Sequence, residues 1–202
     1  LDYLWSTGDV VQTITVSADD TYWVKVTDPL TGCVVIDSLI LSVSKGIKPN
    51  VSNLPNHMCL GRDAVKVTLS PSGGILSGVG LSGNEFNPND TSIVLEQVNW
   101  VKYKFTNTDG CVNTDSSSVT VHSNPNVEQI IKSIKLCDGN KAPLSVKYND
   151  ANLIEWYDTS SSSPLGKMDT YSAQKSGRYF VKASNLWCSS YSDTVSVVFV
   201  TP

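Results

Sequence analysis

Five cysteines, two histidines and a set of turn aspartates are the residues of this chain whose types could do chemistry. The cysteines fall into a pattern. Cys59 and Cys111 stand 52 apart, Cys137 and Cys188 stand 51 apart, and Cys33 is left over. Two pairs at nearly equal spacing read as one structural bridge each, Cys59 with Cys111 and Cys137 with Cys188. Closing a loop of about 50 residues is worth roughly 4 kcal/mol in the chain-entropy picture. Cys33 occupies the position of Cys111 and Cys188, so its partner is expected upstream of Leu1. Persistent bridges belong to an oxidising, extracytoplasmic compartment.

The remaining signals for reaction chemistry are thin. His57 and His122 are far apart in sequence, and neither has a cysteine or acidic pair at ligand spacing, which argues against a metal centre or a histidine-dependent triad. Gly78-Val79-Gly80-Leu81-Ser82-Gly83 fits G-x-G-x-x-G, but a dinucleotide site needs a helix to follow. Asn84-Glu85-Phe86-Asn87-Pro88 does not open one, so these glycines are expected in turns with positive φ. Acidic loops at Asp19 and Asp20, Asp28, Asp109 with Asp115, and Asp138 with Asp150 are weighed against Ca²⁺. They lack the order of a dedicated calcium loop and read as solvated turns. The expected enzyme class is none and the expected cofactor is none, with Ca²⁺ the one ion considered.

A stretch that recurs three times must position these residues. Thr21 to Val43, Val101 to Val121 and Arg178 to Phe199 each hold an alternating strand, a polar turn, a cysteine, then Asp-Ser or Asp-Thr opening a second alternating strand. Asp37, Asp115 and Asp193 advance by a constant step of 78, the mark of a repeat array. The expected organisation is the end of one domain over 1–44, a linker at 45–50, a domain over 51–121, a linker at 122–126 and a domain over 127–202. Pro49 and Pro125 stiffen the two linkers.

Within these bounds the alternation is of period two throughout. It appears at Tyr3 to Trp5, Gln12 to Val16, Tyr22-Val24-Val26, Leu39-Leu41-Val43, Val65-Val67-Leu69, Val101-Tyr103-Phe105, Leu153 to Tyr157, Tyr179-Val181-Ala183 and Val195-Val197-Phe199. No segment holds a helical period. About seven short strands per unit, with the order Cys137, Trp156, Cys188, point to an all-β fold of tandem immunoglobulin-like β-sandwiches with one disulfide per complete domain. Trp5 and Trp156 are expected in cores. The chain is 202 residues long with a net charge of −4 and 17% charged residues. It offers no basic stripe for a nucleic acid and no apolar run near the ~20 residues of a membrane span.

Three groups of residues carry a resemblance. Tyr3 to Val16 (YLWSTGDVVQTITV), Ser72 to Pro88 with Thr108-Asp109-Gly110-Cys111, and Glu155 to Asp158 with Pro164-Leu165-Gly166 and Arg178 to Val181 resemble repeats of large Bacteroidota cell-surface proteins. Such proteins include gliding-motility adhesins and type IX-secreted surface filaments, and also polysaccharide-degrading enzymes that use the modules as spacers. The resemblance implies an extracellular or outer-membrane-anchored location and a non-catalytic stalk or adhesin, with a carbohydrate-binding or spacer module as the alternative. Implied partners are neighbouring repeats, surface polysaccharide or other filament subunits. Trp187 departs from the pattern, standing where the other copies have Gly32 and Gly110. Trp187, Tyr157 and Trp100 are the candidate ligand or interdomain contacts. Ser38 and Thr194, each following an aspartate, resemble the O-glycosylation acceptor of that lineage. The truncated first unit leaves two alternatives open, completion by its own chain or by a neighbouring chain in a filament.

Overall fold

The computed structural model describes residues 1–44 and 46–201, and these are all-β. They form two compact units. Leu1–Lys48 with Thr106–Asn113 is the first, and Pro49–Phe105 with Thr114–Pro202 is the second. Lys45 of the expected 45–50 linker and Pro202 of the expected 127–202 domain lie outside the described residues.

The first unit is built on β1 (Asp2–Trp5), β2 (Asp20–Thr27) and β3 (Val34–Leu41), an antiparallel sheet in that order. Residues Gln12 to Val16 alternate as a strand would, yet they run unpaired, because no neighbouring edge among the described residues offers them backbone partners. Their apolar side chains are still used. Ile14 and Val16 meet Trp5, Tyr22, Val24 and Leu39 around a shallow recess of about 360 Å³. Trp5 is half-buried there rather than enclosed, and its indole N–H donates to the Val11 carbonyl at 2.8 Å. On β3, Val35, Ile36, Leu39 and Ile40 are all more than 60% exposed.

The second unit holds two cores. The first of them belongs to β4 (Asn50–Ser52), β5 (His57–Cys59), β6 (Val65–Lys66), β7 (Thr68–Ser70), β8 (Ile75–Gly78), β9 (Leu81–Ser82), β10 (Glu85–Phe86), β11 (Val98–Thr106) and β12 (Val112–His122). One sheet runs β5-β12-β11-β8, faced by the pair β4-β7 and the small sheet β6-β10-β9. Alternation on β11 and β12 sends Val101, Tyr103, Val119 and Val121 inward, where Phe86 and Val67 meet them. The glycine-rich run supplies turns as expected: Gly80 and Gly83 take φ of 71° and 59°. A Cβ on Gly80 would also strike Ile93.

The second core belongs to β13 (Asn126–Gln129), β14 (Ser133–Cys137), β15 (Ala142–Asn149), β16 (Leu153–Asp158), β17 (Thr170–Ala173), β18 (Gly177–Ser184), β19 (Ser189–Tyr191) and β20 (Val195–Val200). The sheet β14-β20-β18-β16, with β19 on β18, faces β13-β15-β17. Trp156 is fully buried between them, and its indole N–H donates to the Met168 carbonyl at 2.9 Å. Each of these two modules is thus a two-layer sandwich of the immunoglobulin-like kind. The expected linker 122–126 is shorter than its sequence suggests. His122 ends β12, Asn126 begins β13, and both His122 and Pro125 are buried.

Candidate functional site: the bridged joint

The same sheet topology that builds each sandwich separates its cysteines. In the first sandwich β5 lies parallel to the end of β12, with Cys59 opposite His122. Cys111 immediately precedes the start of β12, a strand of 11 residues. The two cysteines therefore belong to opposite ends of one long strand, whereas a bridge needs Cα atoms within roughly 7 Å. The second sandwich repeats this. Cys137 lies opposite Val200, the last residue of β20, while Cys188 sits at the far end, just before β19. The two pairings expected from spacing, Cys59 with Cys111 and Cys137 with Cys188, are therefore not formed. Cys59 is bonded instead to Cys188, across the joint between successive sandwiches, with Cα atoms 5.8 Å apart. Cys33, Cys111 and Cys137 are free thiols, of which Cys33 and Cys137 are exposed.

Three aromatic rings stack together at this joint. His57 and Cys59 share a face of β5 because they are two residues apart. Trp187 comes from the turn that carries Cys188, and its ring stacks on His57 at 3.7 Å between centroids and on His122 at 5.0 Å. Trp187 thus takes an interdomain contact, with about half its surface still open. The turn itself is shaped by Asn185. Its side-chain oxygen accepts from the backbone amides of Trp187 and Cys188 at 3.0 and 2.7 Å, and its amide donates to the Ser123 carbonyl at 3.3 Å.

The histidines, expected to be remote from each other, are in contact. His57 Nδ1 lies 2.9 Å from His122 Nε2, and His122 Nδ1 lies 2.7 Å from a Glu96 carboxylate oxygen. With the carboxylate accepting at Nδ1, His122 is a donor there. Its Nε2 then accepts from His57 when both rings are neutral. Glu96 reaches this position from a left-handed backbone, φ 59°. The Ser123 backbone amide, and then the His122 ring, hold the Glu96 carboxyl below its ordinary range. Glutamate, histidine and histidine in line resemble a proton relay. Both neighbouring sulfurs are committed to the bridge, and no nucleophilic hydroxyl is hydrogen-bonded to His57 among the described residues. All three side chains belong to the first sandwich, and Trp187 is the ring that reaches them from the second. His57 and His122 were weighed singly in the sequence and Glu96 was not; their association was missed because the three come from separated strands and loops.

The other candidates lie elsewhere. Trp100 is 53% exposed beside Val98, Lys102 and Ser77 on the outer face of the first sandwich. Tyr157 stacks on Phe180 at 5.5 Å, and Phe180 meets the 63% exposed Tyr191 at 6.0 Å. Burial, and then the Glu155 carboxylate, push the Tyr157 hydroxyl up from its ordinary value. Ser38 and Thr194 are exposed. Among the described residues no three His, Cys, Asp or Glu side chains gather as metal ligands. Asp28 is occupied within its own turn, accepting from the Leu30 amide and the Thr31 hydroxyl.

No family model and no curated protein matches the chain. Solved structures similar to it include the four N-terminal immunoglobulin domains of Dscam1 isoform 6.9, at 11% identity and a TM-score of 0.34, covering 98% of this chain and 64% of that one. Hemolin, an insect immune protein, is similar at 16% identity and a TM-score of 0.36, covering 89% of this chain and 56% of that one. The chain spans about two thirds or less of the length of these structures. No helix among the described residues is long and apolar enough to cross a membrane.

Proposed function

We propose that this chain is a non-catalytic segment of a large extracellular surface protein, in which tandem immunoglobulin-like modules form a stalk or adhesive filament. The observation that carries this reading is the bond from Cys59 to Cys188. It joins one sandwich to the next, and a protein built to hold its modules together in an oxidising medium has use for such a bond. The step of 78 and the resemblance of the repeats to Bacteroidota surface proteins support a cell-surface adhesin or gliding-motility filament exported by the type IX route. On this reading the first unit is the closing part of a third module. Val24 and Val26 would then correspond to Tyr103 and Phe105 of the first sandwich, one residue off the step of 78 because the turn before Cys33 is one residue longer than the turn before Cys111, and Ser38 and Thr194 would be glycan acceptors. Fluorescent Fab fragments raised against the chain should label intact cells and reduce their attachment. Labelling seen only after permeabilisation would overturn the surface assignment.

A second reading, an accessory polysaccharide-binding module, is favoured by the open stack of Tyr157, Phe180 and Tyr191 beside Lys182. Aromatic faces of this kind pack on sugar rings. A glycan array should then give binding that Tyr191→Ala or Trp100→Ala removes. An array with no binding at all would end this reading and leave the first one standing.

A further inference from the structure

The three free thiols are those that a bridge between successive modules leaves over. Each of the two sandwiches carries one cysteine early and one late, the first unit adds the late Cys33, and a step of 77 or 78 relates each to its copies: Cys59 to Cys137, and Cys33 to Cys111 to Cys188. The structure makes these equivalences physical. Beyond Cys59, the Leu60 amide donates to the His122 carbonyl at 2.9 Å; beyond Cys137, the Asp138 amide donates to the Val200 carbonyl at 2.9 Å. The late turns also close alike. The amides of Asp28, Asn107 and Asn185 donate to the carbonyls of Cys33, Cys111 and Cys188 at 2.9, 3.0 and 2.9 Å. Early cysteines therefore stand at the carboxyl-terminal pole of a module and late ones at the amino-terminal pole.

A second observation is a similar contact one repeat step earlier. Within the first unit, the turn carrying Cys111 rests on Ser44, one repeat step before His122 and next to the position matching Ser123. The Asn107 amide donates to the Ser44 hydroxyl at 3.2 Å, and that hydroxyl donates to Asp109 at 2.5 Å. At the bridged joint Asn185, one repeat step after Asn107, likewise donates to a serine, there to the backbone carbonyl of Ser123.

We propose that Cys33, Cys111 and Cys137 are half-bridges, each made to bond a cysteine of the opposite class on another module of this repeat, so that the array is joined by a ladder of interdomain disulfides. The inference stands on the geometry of the joint and is independent of adhesion or sugar binding. Cys137 is the exposed early half, presented at the end of β14, and the turn bearing Cys33 is the exposed late half. With a disulfide oxidant such as oxidised glutathione the chemistry closes. The Cys137 thiolate attacks one sulfur of the oxidant and expels a glutathione thiolate. The late thiolate then attacks the Cys137 sulfur and expels the second. Two protein thiols lose two electrons and two protons in all, and one glutathione disulfide becomes two glutathione thiols.

The test uses the full chain, concentrated in a glutathione redox buffer, with non-reducing electrophoresis and peptide mapping. The expected result is disulfide-linked multimers in which Cys137 of one copy is bonded to Cys33 or Cys111 of another, with the Cys59–Cys188 bond intact. Cys137→Ser should abolish them while leaving the monomer folded by circular dichroism. Multimers no more abundant than in Cys137→Ser would overturn the proposal. So would bonds between like cysteines, Cys137 with Cys137 or Cys33 with Cys33, or a bond within a module from Cys59 to Cys111 or from Cys137 to Cys188.

Discussion

Cys59 lies directly across from His122, at the end of β12, while the cysteine 52 residues further along precedes the beginning of the same strand. That relationship decides which sulfurs can meet. It fixes a bond that closes a loop spanning 129 residues.

Removing the bond should destabilise strongly. By the chain-entropy model a loop of that length is worth about 5 kcal/mol, with strain able to lower the figure. Cys188→Ser with Cys59→Ser should show a loss of several kcal/mol in urea unfolding without reductant. Cys111→Ser or Cys137→Ser should leave the monomer's curve unchanged.

Trp187→Ala removes the ring stacked on His57. Aromatic pairs contribute about 0.5–1.5 kcal/mol beyond their buried area. The expected outcome is a loss near 1 kcal/mol in the same urea experiment. An unaltered curve would show that the ring contributes nothing to the joint.

Acid should loosen the joint through Glu96. The Ser123 amide and the His122 ring depress its carboxyl below the ordinary 4.5. A depressed carboxylate contributes stability that is present above the ordinary value and lost as pH falls through the folded-state value. The pH window therefore lies below 4.5. Unfolding midpoints measured from neutral pH down into that window should fall in the native protein and fall less steeply in Glu96→Gln.

Two buried aromatic side chains with polar tips give a contrast. Trp156→Ala should cost about 3–5 kcal/mol, the usual range for a large core deletion. Tyr103→Phe removes only a hydroxyl, which donates to the Pro71 carbonyl and accepts from the Gly74 amide. Leaving those groups without a partner should cost about 1–3 kcal/mol. Thermal unfolding of the two variants should rank them in that order.

Much of this architecture was legible in period-two alternation. Val101, Tyr103, Val181 and Val197 could be placed inward from sequence because a strand sends every second residue to one face. Gln12 to Val16 shows the limit, since alternation reveals a chain able to pair and says nothing of whether an edge is there to receive it. The cysteines show another limit. Their spacing revealed the repeat and misled on connectivity, because sequence distance does not tell which pole of a sandwich a residue occupies. Contact between His57 and His122 was invisible for the same reason, resting on a parallel pairing between β5 and the end of a strand that begins over 50 residues later.

The bond from Cys59 to Cys188 also alters how tension would travel. With 129 positions separating the two sulfurs, the 128 residues between them lie off the shortest covalent path from one end of the paired sandwiches to the other. At roughly 3.4 Å per extended residue, about 430 Å of polypeptide is withheld from stretching. A pull on the ends would be borne by a short run of backbone and one sulfur link, and most of both sandwiches would be spared the load.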